Sequence, residues 1–221
     1  PKYGGSPLAL SIDHRLRADS GKELQALTTR LAEETILHVI LPWDHEEPPQ
    51  SAVHAAARKA RYDLLLEACR AHGIAHLFLG HHADDQAETC AMRLKRGSGL
   101  DGLASINPVT SRDGVTILRP LLGLQKSTLL RFLRSKHLAF VADPSNDNIK
   151  FERVGLRRQL TALADAGVRR DALVLSASRL QRCRNALDRI VEQGLRNNFK
   201  LRRTGLGEFP RAVLDEMPDE L

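Results

Sequence analysis

Cysteine is scarce in this sequence, and long apolar runs are absent from it. Of 221 residues three are cysteines, Cys69, Cys90 and Cys183, and they lie far apart with no CxxC pair. This spacing argues against a disulfide framework and a cysteine metal site, and it favours a reducing compartment. No stretch approaches the roughly 20 uninterrupted apolar residues that a membrane span requires. The sequence therefore predicts a cytoplasmic protein with no membrane partner.

The amino terminus also lacks two common features. PKYGGSPLALSIDH has no secretory signal, because its short apolar run leads directly into a charged segment, and it has no initiator methionine. This predicts a fragment whose natural start lies upstream.

Basic residues are unevenly distributed along the chain. The net charge is +6, and residues 151–211 hold 13 Arg and one Lys against six acidic residues, a balance of +8. Residues 1–150 hold 19 basic and 17 acidic groups. An anionic partner is therefore expected to contact the last third of the chain, although charge alone does not name that partner.

Strand-like and helix-like periods alternate along the first two thirds, which is typical of a parallel α/β sheet. Strands are predicted at 7–13, 35–41, 74–80, 115–118 and 138–141, and helices at 20–34, 51–72, 82–95 and 127–136. From residue 151 the pattern is mostly helical. We therefore predict a Rossmann-like parallel sheet flanked by helices in residues 1–150, followed by a basic helical extension in residues 151–221.

Titratable residues concentrate in HHADDQAET, residues 81–89, where a predicted strand gives way to a helix. Sheets of this kind bind ligands at the carboxyl ends of their strands. Helical spacing would place His81, Asp85 and Glu88 on one side of the helix. Two alternatives stay open: carboxylates in a first helical turn are stabilised by the helix dipole, and His, Asp and Glu together suit a metal-dependent phosphohydrolase.

Three ordered motifs carry a family resemblance. They are SAVHAAARKARYDLL, HHADDQAETCAMRLKRGSG and DPSNDNIKFERVGLR, within a region from about residue 8 to residue 163. In this order they resemble the tRNA(Ile)-lysidine synthetases, N-type ATP pyrophosphatases with an adenine nucleotide alpha hydrolase-like fold.

The resemblance implies a reaction and its participants. In that family ATP adenylates carbon 2 of the wobble cytidine in an isoleucine tRNA, and the side-chain amine of free L-lysine then displaces AMP. By this resemblance Asp85 and Glu88 would hold lysine, Arg61 would bind ATP, and His81 would act near the ATP phosphates as a catalytic group. Mg²⁺ is expected to accompany ATP.

Arginines further along the chain receive the remaining roles. Arg157 is expected to bind lysine and Arg153 the tRNA backbone, although Val154 stands where the family commonly has asparagine. A further group in helix-like sequence is expected to contact tRNA: Arg179, Arg182 and Arg189.

One family motif is missing. The SGGxDS phosphate loop is absent, and Gly4 to Ser6 precede a predicted strand instead of following one. The later glycines of RGSGLDGL are explained by a loop that leaves a helix. We therefore expect an incomplete core whose first strand and phosphate loop lie upstream of Pro1, and which adenylates tRNA poorly alone. A catalytically dead tRNA-binding relative is the alternative.

Overall fold

A computed structural model of the chain describes residues 5–15, 20–44, 53–138, 140 and 152–215, with the backbone alone at 53–55, 152–154, 157, 158, 214 and 215. The chain forms two compact units. The first comprises residues 1–79 and 109–118, and the second comprises residues 80–108 and 119–221. Within the described ranges no helix is both long and apolar enough to cross a membrane.

The first unit contains two strand ladders. Strands β1 (Leu8–Asp13) and β2 (Leu37–Pro42) pair in parallel, and β3 (His76–Phe78) pairs in parallel with β5 (Val115–Leu118). Parallel pairing requires a crossover connection, which for β1 and β2 is helix α1 (Ser20–Glu33). Helix α2 (Val53–Ala71) follows β2 and leads to β3. This confirms the predicted α/β fold with a parallel sheet flanked by helices.

A hairpin absent from the predicted elements completes the second ladder. Strand β4 (Val109–Arg112) pairs antiparallel with β5, and Asp113 and Gly114 form the two-residue connection. Both have positive φ, 52° and 79°, as a type I′ turn requires. The Asp-Gly pair before the predicted strand was the sequence signal for this hairpin.

The core of the first unit lies between α2 and the ladders. Leu65, Leu66 and Cys69 share one face of α2 and pack with Leu77 of β3 and with β5. Apolar residues of β1 and β2 pack against the same cluster. Within the described residues β1 has β2 as its only ladder partner, and β3 has only β5.

The second unit is mainly helical. Its helices are α3 (Ala83–Lys95), α4 (Leu100–Leu103), α5 (Lys126–Ser135), α6 (Glu152–Asp165), α7 (Arg170–Asn198) and α8 (Arg211–Asp215). A short hairpin joins β6 (Lys200–Leu201) to β7 (Gly207–Glu208). Helix α3 packs on α6 and α7 around Ala91, Leu156 and Leu160. The helical character expected after residue 151 is confirmed.

Several predicted details differ from the structure. The glycine-rich stretch after α3 contains the short helix α4, and Gly97, with φ of 66°, ends α3. The amides of Gly97 and Ser98 donate to the carbonyls of Leu94 and Arg93, the pattern that closes a helix through a left-handed residue. The strand predicted at 138–141 is not formed at the two described positions, Leu138 and Phe140. The predicted boundary near residue 150 falls outside the described residues.

Candidate active site

The amino-terminal turn of α3 holds Asp85 in a capping contact. His82 is the N-cap residue, and its backbone amide donates to Oδ2 of Asp85 at 2.9 Å. A carboxylate three residues after the cap satisfies a donor that the helix itself leaves unpaired. His81 precedes the cap and is half-buried, so the expected helical spacing applies to Asp85 and Glu88 but not to His81.

Asp84, the neighbouring carboxylate, has a different role. Its Oδ2 accepts from the backbone amide of Lys126 at 2.8 Å, at the first turn of α5, and its Oδ1 lies 3.4 Å from Arg170. These contacts join three helices of the second unit at one side chain. Among the residues that the structure describes, no group of three or more His, Cys, Asp or Glu could hold a metal ion.

Glu88 is almost fully buried, with 3% of its surface exposed. It lies three residues after Asp85, so the two carboxylates are neighbours on the helix surface. Acidic residues are rarely buried unless they are paired, and a low-dielectric site strengthens their attraction for a cation. Asp85 and Glu88 are the predicted site residues that the structure brings together.

Polar side chains that the sequence did not single out brace α3. Gln86, which is 6% exposed, donates to the carbonyl of Ile106 at 2.9 Å and accepts from the amide of Ile106 at 2.8 Å. The buried Arg119 donates to the carbonyl of Asn107 at 2.8 Å, while Gln181 of α7 donates to Oδ1 of Asn107. These bonds fix residues 106 and 107 beside the helix that carries Asp85 and Glu88. Gln86 lies within the titratable motif, but no local pattern pointed to its partner.

In the first unit, Arg61 reaches the carboxyl end of β1. Its Nη2 lies 3.1 Å from Nε2 of His14, and the His14 ring meets Trp43 edge-on with ring centres 5.7 Å apart. His14 follows β1 and Trp43 follows β2, so the guanidinium lies where parallel sheets bind ligands.

Burial lowers the pKa of His14 from 6.5, the positive charge of Arg61 lowers it further, and Asp13 partly opposes both. The pKa of Asp13 is itself lowered, first by the backbone amide of Arg15 and then by the hydroxyl of Ser20. Near neutral pH this strand end therefore combines a neutral imidazole with an ionised carboxylate.

The predicted tRNA-contacting arginines on α7 are exposed to solvent. Within the part of the chain that the structure describes, they make no ion pair with an acidic residue: Arg179, Arg182 and Arg189. Other arginines of the region are paired, Arg169 with Asp171 and Arg184 with Asp101. Along this helix Arg182 follows Arg179 by three residues and Arg189 follows Arg182 by seven, a spacing that places the three on one side of it.

The remaining predicted residues are only partly placed. Arg153 and Arg157 lie four positions apart in α6, as expected, but their side chains are outside the described residues. Residues 143–150 of the DPSN motif are also outside them. Arg61 belongs to the first unit, and His81, Asp85 and Glu88 belong to the second.

Comparison with known proteins identifies the fold. The family model of the PP-loop domain matches residues 3–164. The chain belongs to the PP-loop domain family. A solved structure, the U34-tRNA thiolase NcsA from Methanococcus maripaludis with its [4Fe-4S] cluster, is similar with a TM-score of 0.64 and 15% identity, over 80% of this chain and 61% of the thiolase. At that identity the likeness concerns the fold alone.

Relatives of this PP-loop chain are named tRNA(Ile)-lysidine synthase. The protein from Bradyrhizobium sp. strain BTAi1 is 39% identical over 96% of this chain and 59% of its own length. The protein from the Wolbachia of Brugia malayi is 33% identical over 97% of this chain and 50% of its own length. The chain thus spans about half the length of the relatives that it matches. This confirms the resemblance on which the site residues were predicted.

Proposed function

We propose that this PP-loop chain is the core of a tRNA(Ile)-lysidine synthase. The carbonyl oxygen on carbon 2 of the wobble cytidine would attack the α-phosphate of ATP, and pyrophosphate would leave. The side-chain amine of lysine would then attack carbon 2, and AMP would leave with that oxygen. One observation carries the proposal: the chain is 39% identical along nearly its whole length to a protein of that name. The buried carboxylate of Glu88, on the turn after Asp85, is consistent with it. Acting on tRNA with ATP, the enzyme would work in the cytoplasm.

Lysine recognition is assigned to the α3 carboxylates. Free lysine carries two ammonium groups and one carboxylate at neutral pH. Glu88 would pair with one ammonium group where little water screens the attraction, and Asp85 would pair with the other through the oxygen that His82 does not use. Arg157 is the proposed partner of the lysine carboxylate, because its planar fork suits two oxygens.

ATP is assigned to Arg61 and His81. A guanidinium at the carboxyl end of β1 can bind phosphate oxygens, and His81 would stabilise the negative charge that develops as pyrophosphate leaves. Mg²⁺ binds mainly to substrate phosphates and water, with few protein carboxylates, so it would arrive with ATP, and no residue of this chain is assigned to it.

Transfer RNA is assigned to the basic helices. Arg179, Arg182 and Arg189 of α7 have no acidic partner among the described residues, so they can contact phosphates without first breaking such a pair. Arg153 would add a contact from α6. Sulfur transfer, as in the structurally similar thiolase, is disfavoured at Cys69 and Cys90. Burial raises the pKa of the Cys69 and Cys90 thiols, and a raised pKa opposes formation of the reactive thiolate.

The phosphate loop is proposed to come from an additional strand. Within the described residues, one edge of β1 and one edge of β3 have no paired strand. Both strands pack on the same α2 core. A strand paired to these edges would make one continuous sheet and would place a following loop at its carboxyl end.

The test compares this chain with a form extended upstream, using ATP–pyrophosphate exchange and lysine incorporation with isoleucine tRNA. The extended form should show tRNA-dependent exchange and lysine incorporation. The chain alone should show neither, since losing one transition-state donor commonly costs on the order of a hundredfold. An extended form that binds tRNA but catalyses neither reaction would support the dead relative. Efficient modification by residues 1–221 alone would refute the missing-loop proposal.

A further inference from the structure

The contact between His14 and Arg61 has a defined donor and a defined acceptor. An arginine side chain has only donors, so the 3.1 Å approach of Arg61 Nη2 to His14 Nε2 is a hydrogen bond when Nε2 has a lone pair. The neutral imidazole with its proton on Nδ1 provides that lone pair. A protonated ring cannot accept, and its charge would repel the guanidinium.

The surroundings keep this histidine neutral near pH 7. Among the described residues, the charged groups at this strand end are Asp13 and Arg15 on the β1 side, Asp44 after β2, and Arg61 of α2. The Arg15 side chain pairs with Asp44 at 2.6 Å, and the Arg15 backbone amide donates to the Asp13 carboxylate. Desolvation and Arg61 then outweigh Asp13, so the pKa of His14 stays below its ordinary value.

Trp43 limits how the imidazole can turn. The two rings meet at an interplanar angle of 89°, an edge-to-face arrangement that has a preferred geometry. The Trp43 contact favours one orientation of the imidazole, and in the structure that orientation presents Nε2 to Arg61. The acceptor for Arg61 is therefore set by residues at the ends of both parallel strands.

We propose that His14 is a positioning residue, whose Nε2 lone pair holds the Arg61 guanidinium at the carboxyl end of β1 in the orientation that binds the phosphates of ATP. This inference rests on the proposed role of Arg61 in ATP binding. It gives His14 a role in the ATP site, and it implies that ATP binding weakens when His14 is protonated.

The chain contains its own reporter for this contact. Trp43 is the single tryptophan, so the tryptophan fluorescence comes from one site, beside His14, and a protonated histidine at ring contact quenches it. In the wild-type chain, fluorescence should follow a titration with a midpoint below 6.5. Arg61→Gln should move that midpoint upward, because the neighbouring positive charge is gone. A midpoint that does not move would show that Arg61 does not contact His14, and would overturn the proposal.

ATP binding to the 221-residue chain tests the functional part with a matched pair of variants. His14→Gln keeps an acceptor near the Nε2 position but does not titrate, and His14→Phe keeps a ring against Trp43 but has no acceptor. At about pH 8, His14→Phe should bind ATP roughly three- to tenfold more weakly, the range for one lost hydrogen bond, while His14→Gln should remain close to wild type. On acidification the wild type should lose affinity more steeply than His14→Gln, whose remaining pH dependence comes from ATP and the other titrating groups.

The results distinguish failure of the His14 positioning role from failure of the proposed ATP site. If the wild type binds ATP and both variants match its affinity and pH dependence, the positioning role is wrong while the ATP site stands. If the wild type binds no ATP either as the 221-residue chain or in the upstream-extended form, the proposed ATP site is wrong and, with it, this role. If His14→Phe does not fold, the pH dependence of ATP affinity in His14→Gln, compared with that of the wild type, still tests the positioning role.

Discussion

Replacing Asp85 with asparagine should weaken the use of lysine without unfolding the protein. Asparagine keeps an oxygen at the position that accepts the His82 amide at 2.9 Å, so the capping contact survives in neutral form. The substitution removes the negative charge that we assign to a lysine ammonium group. The same side chain thus has a structural contact and a proposed substrate contact, and asparagine spares the first.

The size of the effect follows from the two contacts. A hydrogen bond between charged groups contributes about 1.5–3 kcal/mol, which corresponds to a roughly 10- to 150-fold increase in the KM for lysine. Loss of a charge at the amino end of a helix costs about 0.3–1 kcal/mol of stability. Asp85 is 15% exposed, so solvent screens it little, and the larger effect should appear in lysine use.

Lysine incorporation into isoleucine tRNA gives the KM, and ATP–pyrophosphate exchange gives adenylation in the same preparation of the upstream-extended protein. Asp84→Asn is the matched control, because Asp84 lies on the same helical turn but binds Lys126 and Arg170. It should lower stability by a comparable amount and leave the lysine KM near the wild-type value. If Asp85→Asn reduces adenylation and lysine use together, Asp85 serves metal binding or folding, and the assignment is refuted.

Three further predictions concern the rest of the chain. Three exposed arginines of α7 should be changed to glutamine together: Arg179, Arg182 and Arg189. This should weaken tRNA binding and reduce the slope of log affinity against log salt concentration by roughly 0.7–0.9 for each lost phosphate contact. An unchanged slope would leave these arginines only a role in solubility. Leu66→Ala should lower the free energy of unfolding by about 2–5 kcal/mol in urea titrations, since Leu66 is 1% exposed, whereas Leu27→Ala at a 39% exposed site should change it little. Because the native pKa of His14 is lowered, its contribution to stability is complete above 6.5 and is lost as the pH falls below that value, where the unfolded chain takes up the proton first. Urea titrations across this range should show a shallower pH dependence for His14→Gln than for wild type, and identical dependences would contradict the cited shift.

Local periodicity was sufficient to predict most helices and parallel strands. Helix α5 was predicted at 127–136 and spans Lys126–Ser135, and β5 was predicted without error. Strand β4 has one large apolar residue, Val109, and it is 54% exposed, so its hydrophobic pattern was too weak to identify it. Only the turn chemistry at Asp113 and Gly114 indicated it.

The site was predictable in its residues but not in its contacts. Spacing along one helix placed Asp85 and Glu88 together. The partners of Asp84 are 42 and 86 residues away along the chain, and Gln86 bonds a residue 20 positions away. Such pairings depend on tertiary packing, which no local pattern records. Helix α3, which carries the buried Glu88, likewise packs on α6 and α7, which follow it by many residues.

The division of the chain into interleaved units has a consequence for synthesis on the ribosome. The first unit needs residues 109–118, because β5 is the central strand of the ladder β3–β5–β4. Until residue 118 has emerged, β3 has no hydrogen-bonding neighbour in that ladder, and the apolar face of α2 around Leu66 lacks Val115 and Ile117. Helices α3 and α4 are made during this interval, before the first unit can close. A nascent chain that stalls between residues 79 and 109 should therefore expose an open strand edge and an uncovered apolar helix face, and it should depend on chaperones more than the finished protein does.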